Sequence, residues 1–575
     1  MSIRRPRGVP TGLPDADARY RVWRDHHAPL LYDTIASRKL LWPTQVVQWG
    51  QPRAASAADV PAAVRGVVAP HAARQLFISE RTGNTRDPNT LLTYHVHLPV
   101  AGATRPADVT RTWVDKGTVL GGGTADDDAA RAAAGRPGGD VISAAAAAGG
   151  GTDWSLVHRI VHPGEVNRVR EAGPQLLVTH TDAPELFVWG LRSQPHRRVR
   201  EGPRPSVADI VLKGHTDNAE YALKCRRADG GAEVLVASGG SDSAVLLWDI
   251  RDADGATLKG GGAAAAAPAS GPPGGASQGV AAAAAAGGRH LLPRTRFTGH
   301  TGNVEDVAFS PLDANMLASV SDDSSLRLWD RRAPRAAMAV VPGAHTGDVF
   351  VVDWSRHGCL LTGGVDGLIK VWEPRKLVAA AASGGGGVTM GSGASAVAAR
   401  AGAPAPGAAS TGAPAPVLTL AEHTAEINAA SWHDARPLVF ASSAADAQVL
   451  VWDVARVWAS SPPPPLSPAA PAAAAGRPVS VGTSTPAVAF RHVGHPGAVV
   501  DFQWLPDAAD PWAATSVSED NEGSTLQVWR ICELVMAAPD RAAAMMLDAE
   551  ATRAGVGGRA AAAAANAAIA ANSGR

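Results

Sequence analysis

The chain has 575 residues, and its 53 Lys+Arg balance 53 Asp+Glu. No overall basic excess points to direct nucleic-acid binding, so any charge signal must be local. Cys225, Cys359 and Cys532 stand far apart without paired spacing, which argues against a disulfide framework or a cysteine zinc site and fits a reducing compartment.

The opening MSIRRPRGVP is basic but lacks an apolar core after it, so no secretory signal is expected. No run of about 18 apolar residues free of Gly and Pro reads as a membrane span, and a soluble intracellular protein without a membrane partner is the expectation. Residues 1–16 read as disordered. Residues 17–39 read as an N-terminal α-helix, because Tyr20, Trp23, His27, Leu30, Leu31 and Ile35 fall near helical spacing, with Pro29 kinking or restarting it.

From residue 40 the pattern changes to strands. Leu41–Gly50, Leu76–Glu80 and Thr90–Pro99 alternate apolar and polar residues. After them a unit recurs in which a turn containing His opens and a strand ending in Trp closes. The pairs are His162 to Trp189, His215 to Trp248, His300 to Trp329, His345 to Trp372, His423 to Trp452 and His495 to Trp529. Each interval spans roughly 27 to 34 residues, which is the WD40 signature of four strands per propeller blade. Each unit carries an Asp in the turn before its last strand: Asp182, Asp242, Asp322, Asp366, Asp446 and Asp520. With the earlier strands as one more blade, residues 40–535 are expected to form an all-β, seven-bladed WD40 propeller.

Between these units lie stretches made almost wholly of Ala, Gly, Pro and Ser, at about 121–151, 252–288, 379–416 and 460–486, with an Ala-rich tail at 536–575. They lack the large apolar side chains that offset chain entropy and read as disordered insertions.

The repeated histidines are expected to be structural, bridging the turn Asp and strand residues of their own blades, so no metal or other cofactor is expected. The closing tryptophans read as core. No nucleophile elbow, phosphate loop or acid pair occurs in the patterned text, and a non-enzymatic protein is expected.

The local charge signal sits just after each histidine. Three residues on stand Glu165, Asn218, Asn303, Asp348, Glu426 and Ala498, and five residues on stand Asn167, Glu220, Glu305, Phe350, Asn428 and Val500. Apart from Ala498, Phe350 and Val500 these are acids or asparagines, with no Lys or Arg among them. Residues i and i+2 of a strand share a face, so these side chains are expected to ring one rim of the central channel. Such a ring suits an extended basic peptide; a solvated acidic rim that binds nothing is the plain alternative.

The motifs YRVWRDHHAPLLYD, HPGEVNRVR, GHTDNAEYAL, GHTGNVEDVAFSP and DPWAATSVSEDN together resemble the MSI-type histone-binding WD40 proteins, relatives of the retinoblastoma-binding chromatin subunits. THTDAPELFVW and GHTDNAEYAL are most similar to the plant subgroup that acts in deacetylase-linked silencing and flowering control. The resemblance implies that the acidic face takes the tail of histone H3 or a similar basic peptide. It points to Glu165, Asn167, Arg168, Glu220, Tyr221, Glu305, Asp348, Glu426, Asn428 and Glu519, with Arg168 orienting carboxylates rather than touching a cation.

The resemblance also implies a site for a histone H4 helix on the N-terminal helix, at Trp23, Leu30, Leu31 and Ile35. The loop that completes this site in the family is acidic in many animal members, whereas here it reads RVWASSPPPPLSPAAP, without the acids. Expected partners are deacetylase, Polycomb or chromatin-assembly subunits in the nucleus. A second reading is a cullin ubiquitin ligase receptor, because Asp322, Asp323, Trp329, Asp330 and Arg332 in SVSDDSSLRLWDRR resemble a WD-x-R box that docks on the ligase adaptor.

Overall fold

The computed structural model describes residues 23, 28–50, 71–82, 87–99, 119–120, 153–198, 203–218, 221–228, 231, 233–252, 288–383, 415–458, 479–480, 487–507, 511–520 and 523–536. Seven sheets form the blades of a propeller, each an antiparallel meander of four strands, innermost first. Blade 1 is Val47–Trp49, His71–Glu80, Thr90–Pro99 and Asp153–Val161. The innermost strands of blades 2 to 7 are Arg168–Gly173, Leu223–Arg227, Val304–Phe309, Val349–Trp354, Ile427–Trp432 and Ala498–Trp504. The all-β, seven-bladed expectation therefore holds.

The ring closes through the N-terminal segment. Tyr32–Leu40 is a strand that pairs antiparallel with Gly523–Ile531, so the outer strand of blade 7 comes from the far end of the chain. This corrects the helix expected over residues 17–39: helix spans only Ala28–Leu31 in its described part. The spacing of Leu30, Leu31 and Ile35 suits a helix, but the unpaired edge of Gly523–Ile531 offers ladder hydrogen bonds that local spacing does not reveal. Residues 1–16 lie outside the described residues.

Apolar clusters fill the space between blades, and Trp189, Trp248, Trp329, Trp372, Trp452 and Trp529 are fully buried in them. In blade 4, His300 Nδ1 meets Asp323 at 2.9 Å, His300 Nε2 meets Ser319 Oγ at 2.7 Å, and Trp329 Nε1 donates to the same Oγ at 2.8 Å. The carboxylate can only accept, so Nδ1 donates to it and Nε2 takes the hydroxyl proton. The same chain of bonds runs through His345, Asp366, Thr362 and Trp372, and through His423, Asp446, Ser442 and Trp452.

Three turn aspartates expected in this role are replaced. In blade 4 it is Asp323, not Asp322, that meets the histidine. In blade 2, His162 bonds the Gly164 carbonyl at 3.0 Å, and in blade 7, His495 bonds Ser518 at 2.8 Å, so Asp182 and Asp520 do not serve. Counting back from Trp places the turn to within a residue; which carboxylate faces inward depends on the turn's own geometry.

The connections between third and outer strands of blades 1, 3 and 6 share one habit. Each sends a short parallel strand back onto the outer edge of the preceding blade: Val119–Leu120 beside Lys39–Leu40, Arg289–Leu291 beside Ile210–Leu212, and Val479–Ser480 beside Leu418–Thr419. Such strands cover backbone edges that would otherwise pair with other chains. Two expected insertions thus contain order: Val479–Ser480 lies within 460–486, and the helix Pro374–Ser383 runs into the stretch that starts at 379. The segments 121–151 and 537–575, and most of the other insertions, lie outside the described residues.

Candidate functional site: an acidic bowl at the channel mouth

Across the mouth of the channel lies a bowl of about 490 Å³. Of the residues expected to hold a histone tail, Asn167, Arg168, Tyr221, Glu305, Asp348, Glu426, Asn428 and Glu519 line it, drawn from blades 2 to 7. Glu165 is not among the lining residues, because it pairs with Arg81 at 2.7 Å. Glu220 lies outside the described residues.

A backbone irregularity aims these side chains. In blades 4 to 7 the ladder skips one residue, leaving Glu305, Phe350, Asn428 and Val500 without a cross-strand partner. Each is the fifth residue after its blade's histidine. A β-bulge of this kind adds a residue to one strand and turns its side chain out of the alternating pattern. The residues just before the bulges, Val304, Val349, Ile427 and Val499, point into the core and are buried. Alternation predicts that the third and fifth positions share a face; the bulges decide how the fifth leans over the bowl.

Below the bowl, buried carboxylates link blade to blade. Asp306 accepts the amide of Val352 at 3.0 Å, Asp353 the amide of Trp432 at 2.9 Å, and Asp501 the amide of Val47 at 3.0 Å. Burial pushes the Asp306 carboxyl up, partly offset by Lys224, Arg168 and Arg170. Arg168 Nη1 faces Asp501 at 3.4 Å and its Nε donates to the Tyr221 carbonyl at 3.3 Å, so the one cation expected in the ring is held by a carboxylate and a carbonyl.

The wall is acidic on one side and apolar on the other. Glu305 accepts from Asn303 Nδ2 at 2.9 Å, and Asn428 Nδ2 donates to the Val499 carbonyl at 2.8 Å. Burial raises Glu519 above the ordinary carboxylate range, with Arg81 pulling it back down and Asp520 adding to the rise. An incoming cation would relieve this crowding of negative charge. Phe350, Val365, Ala445, Ala498 and Val500 supply the apolar part. Gln45, Val365 and Ala445 escape the count of positions after each histidine. Gln45 comes from the blade without a repeat histidine, and the other two come from hairpins just before Asp366 and Asp446.

The residues expected to hold a histone helix are placed differently. Trp23 and Ile35 are buried in the core shared by blades 6 and 7, and Leu31 packs against it half-buried. Their apolar face is spent on docking the N-terminal segment, so Trp23 and Ile35 are corrected to core residues. The side chain of Leu30, the residues Tyr20 and His27, and positions 459–471 of the proline-rich loop lie outside the described residues.

The WD-x-R residues are also occupied internally. Asp323 belongs to the histidine network, Trp329 is buried, and Asp330 is bound in a fork by Arg332 with contacts from 2.6 to 3.1 Å. Nothing in this arrangement or in the relatives below supports the ligase-adaptor reading.

A closed ring of seven blades whose channel mouth gathers acids, amides and an apolar wall defines a peptide-binding propeller. Residues 292–330, 339–373 and 414–453 match the WD domain, G-beta repeat. Residues 18–100 match the family described as histone-binding protein RBBP4 or its counterpart in the CAF1 complex. The chain is 30% identical over 538 residues, 91% of its length and 83% of the relative's, to the WD-40 repeat-containing protein MSI4 of Arabidopsis thaliana. It belongs to the MSI-type family of histone-binding WD40-repeat proteins.

Proposed function

We propose that the acidic bowl binds the basic N-terminal tail of histone H3, and that the protein is a non-enzymatic scaffold presenting histones to deacetylase, Polycomb or chromatin-assembly subunits in the nucleus. The observation that carries this reading is the convergence of Glu305, Asp348, Glu426 and Glu519, from four different blades, on one concave site. Lys and Arg heads pair with carboxylates most strongly where water is partly excluded, and the apolar wall at Phe350 and Val500 receives the intervening side chains. Membership of the family supports histones as the ligand class, and the acidic convergence favours a lysine- and arginine-rich tail over a packed histone surface.

The test is calorimetric titration with an unmodified H3 tail peptide at low and moderate salt, beside a Glu426→Gln, Glu519→Gln variant. Binding that weakens with salt and falls by roughly tenfold or more in the variant is expected. Binding unaffected by both changes would sink the proposal.

A further inference from the structure

Arg81 has no counterpart among the residues that the repeat pattern places at the channel mouth. It follows the second strand of blade 1, where its amide donates to the Pro43 carbonyl at 2.9 Å. The adjoining positions are pinned as well. Thr90 Oγ1 donates to the buried Glu80 at 2.5 Å, the Thr82 amide donates to Asn89 Oδ1 at 3.0 Å, and the His162 amide donates to the Asn89 carbonyl at 2.8 Å. That last bond ties the blade 1 hairpin to the turn that carries Glu165. The guanidinium is thereby delivered to the Glu165 carboxylate, Nε to Oε2 at 2.7 Å, with each side chain about a quarter exposed (25% and 26%). Its charge also reaches Glu519 on the bowl wall.

In blades 5, 6 and 7 the third position after the histidine lines the bowl, as Asp348, Glu426 and Ala498. In blade 2 the same position is an acid neutralised by a cation of the same chain. We infer that Arg81 is a built-in competitor for the basic ligand: it occupies Glu165 and offsets the charge of Glu519, so that a lysine or arginine of a tail must displace or bypass it, and it sets how tightly basic peptides are held. The inference rests on the bowl being a basic-peptide site. It adds that the blade 1 to blade 2 sector is a restrained part of that site.

A partly exposed pair is weak enough to exchange: such pairs contribute about 0.2–1 kcal/mol, which corresponds to a change in affinity of roughly 1.4- to 5-fold. A device of this size tunes binding without abolishing it.

The experiment is titration of the full chain with the unmodified H3 tail peptide, comparing wild type with Arg81→Gln, Arg81→Lys and Glu165→Gln, and with the Arg81→Gln, Glu165→Gln double variant. Arg81→Gln is expected to tighten binding roughly two- to five-fold at low salt, with the gain shrinking as salt rises. Arg81→Lys keeps the cation and stays near wild type. Glu165→Gln is expected to cost little in wild type, where the carboxylate is already paired, and to cost affinity once Arg81 is gone, a coupling that a purely structural role for the pair would not produce. Equal or weaker binding by Arg81→Gln, with an unchanged melting temperature and intact wild-type binding, overturns this inference and leaves the proposed function standing. If neither wild type nor Arg81→Gln binds, the basic-tail reading falls and this inference falls with it. Binding by Arg81→Gln alone supports it.

Discussion

Tyr32 lies opposite Ile531 in antiparallel register, so the ring is sealed by residues from opposite ends of the chain. Around this seam runs a buried chain of bonds. Gln527 Oε1 accepts from His492 Nε2 at 2.9 Å, His492 Nδ1 accepts from the Tyr32 hydroxyl at 2.7 Å, and the Tyr32 oxygen accepts from Trp23 Nε1 at 3.2 Å. The direction follows from the amide oxygen, which can only accept.

Tyr32→Phe removes the central link while keeping the ring shape, and leaves His492 Nδ1 and Trp23 Nε1 without this partner. A stranded buried polar group costs about 1–3 kcal/mol. The midpoint of urea unfolding is therefore expected to fall with an unchanged denaturant slope, and an unaltered midpoint would contradict the relay.

The turn of blade 4 offers two adjacent aspartates for comparison. Asp323 accepts from His300 Nδ1 and from the Thr301 amide at 3.0 Å. Burial alone would raise its carboxyl, but these bonds outweigh burial and hold it well below the usual range. Asp323→Ala should destabilise by about 1–3 kcal/mol and Asp322→Ala by less, as read by thermal or chemical denaturation. The reverse order would mean that the histidine network is wired differently.

Acid should weaken the fold in two separate windows. Burial lowers His162 to about 4 and His492 to about 3, and pushes His495 well down. Their folded values lie below the ordinary 6.5, so the unfolded chain binds the extra protons, and stability present above pH 6.5 is lost as pH falls toward 4 and then 3. For His162 this is about 3 kcal/mol. The network aspartates, exemplified by Asp366 at about 2, are depressed instead, and their contribution is lost only below about pH 4. Urea midpoints between pH 7 and 5 should fall for wild type and fall less for His162→Gln; a flat wild-type profile would rule the histidine window out.

Gly288 lets the short strand Arg289–Leu291 lie against blade 2, because a Cβ there would sit 2.5 Å from the Asp209 carbonyl oxygen. Gly288→Val should push this strand away from the edge. The Lys213 amide, which donates to the Leu291 carbonyl at 2.9 Å, is then expected to exchange hydrogen faster while amides of the inner strands keep their protection. Unchanged exchange at Lys213 would mean that the edge tolerates the side chain.

Some of this was legible from local chemistry. The spacing of His and Trp announces four-stranded blades because each pair is satisfied within one blade, and the alternation of Leu41–Gly50 and Thr90–Pro99 supplies the blade that lacks the repeat. The acids and amides after each histidine were legible for the same reason, since position along a strand sets the face. Other features depend on partners far away in sequence. Tyr32–Leu40 became a strand because an open edge awaited it, and Trp23 and Ile35 became core because that strand brought them to Phe490 and Trp529.

The sequence by itself therefore determined the repeat, the number of blades and the acidic character of one rim, all of which follow from short-range periodicity and side-chain chemistry. The tertiary structure alone decided how the ring closes, which aspartate serves each histidine, where the bulges aim Glu305, Phe350, Asn428 and Val500, and that Arg81 reaches Glu165. Those outcomes arise where two distant segments compete for the same hydrogen bonds or charges, and the winner is set by geometry that no single segment contains.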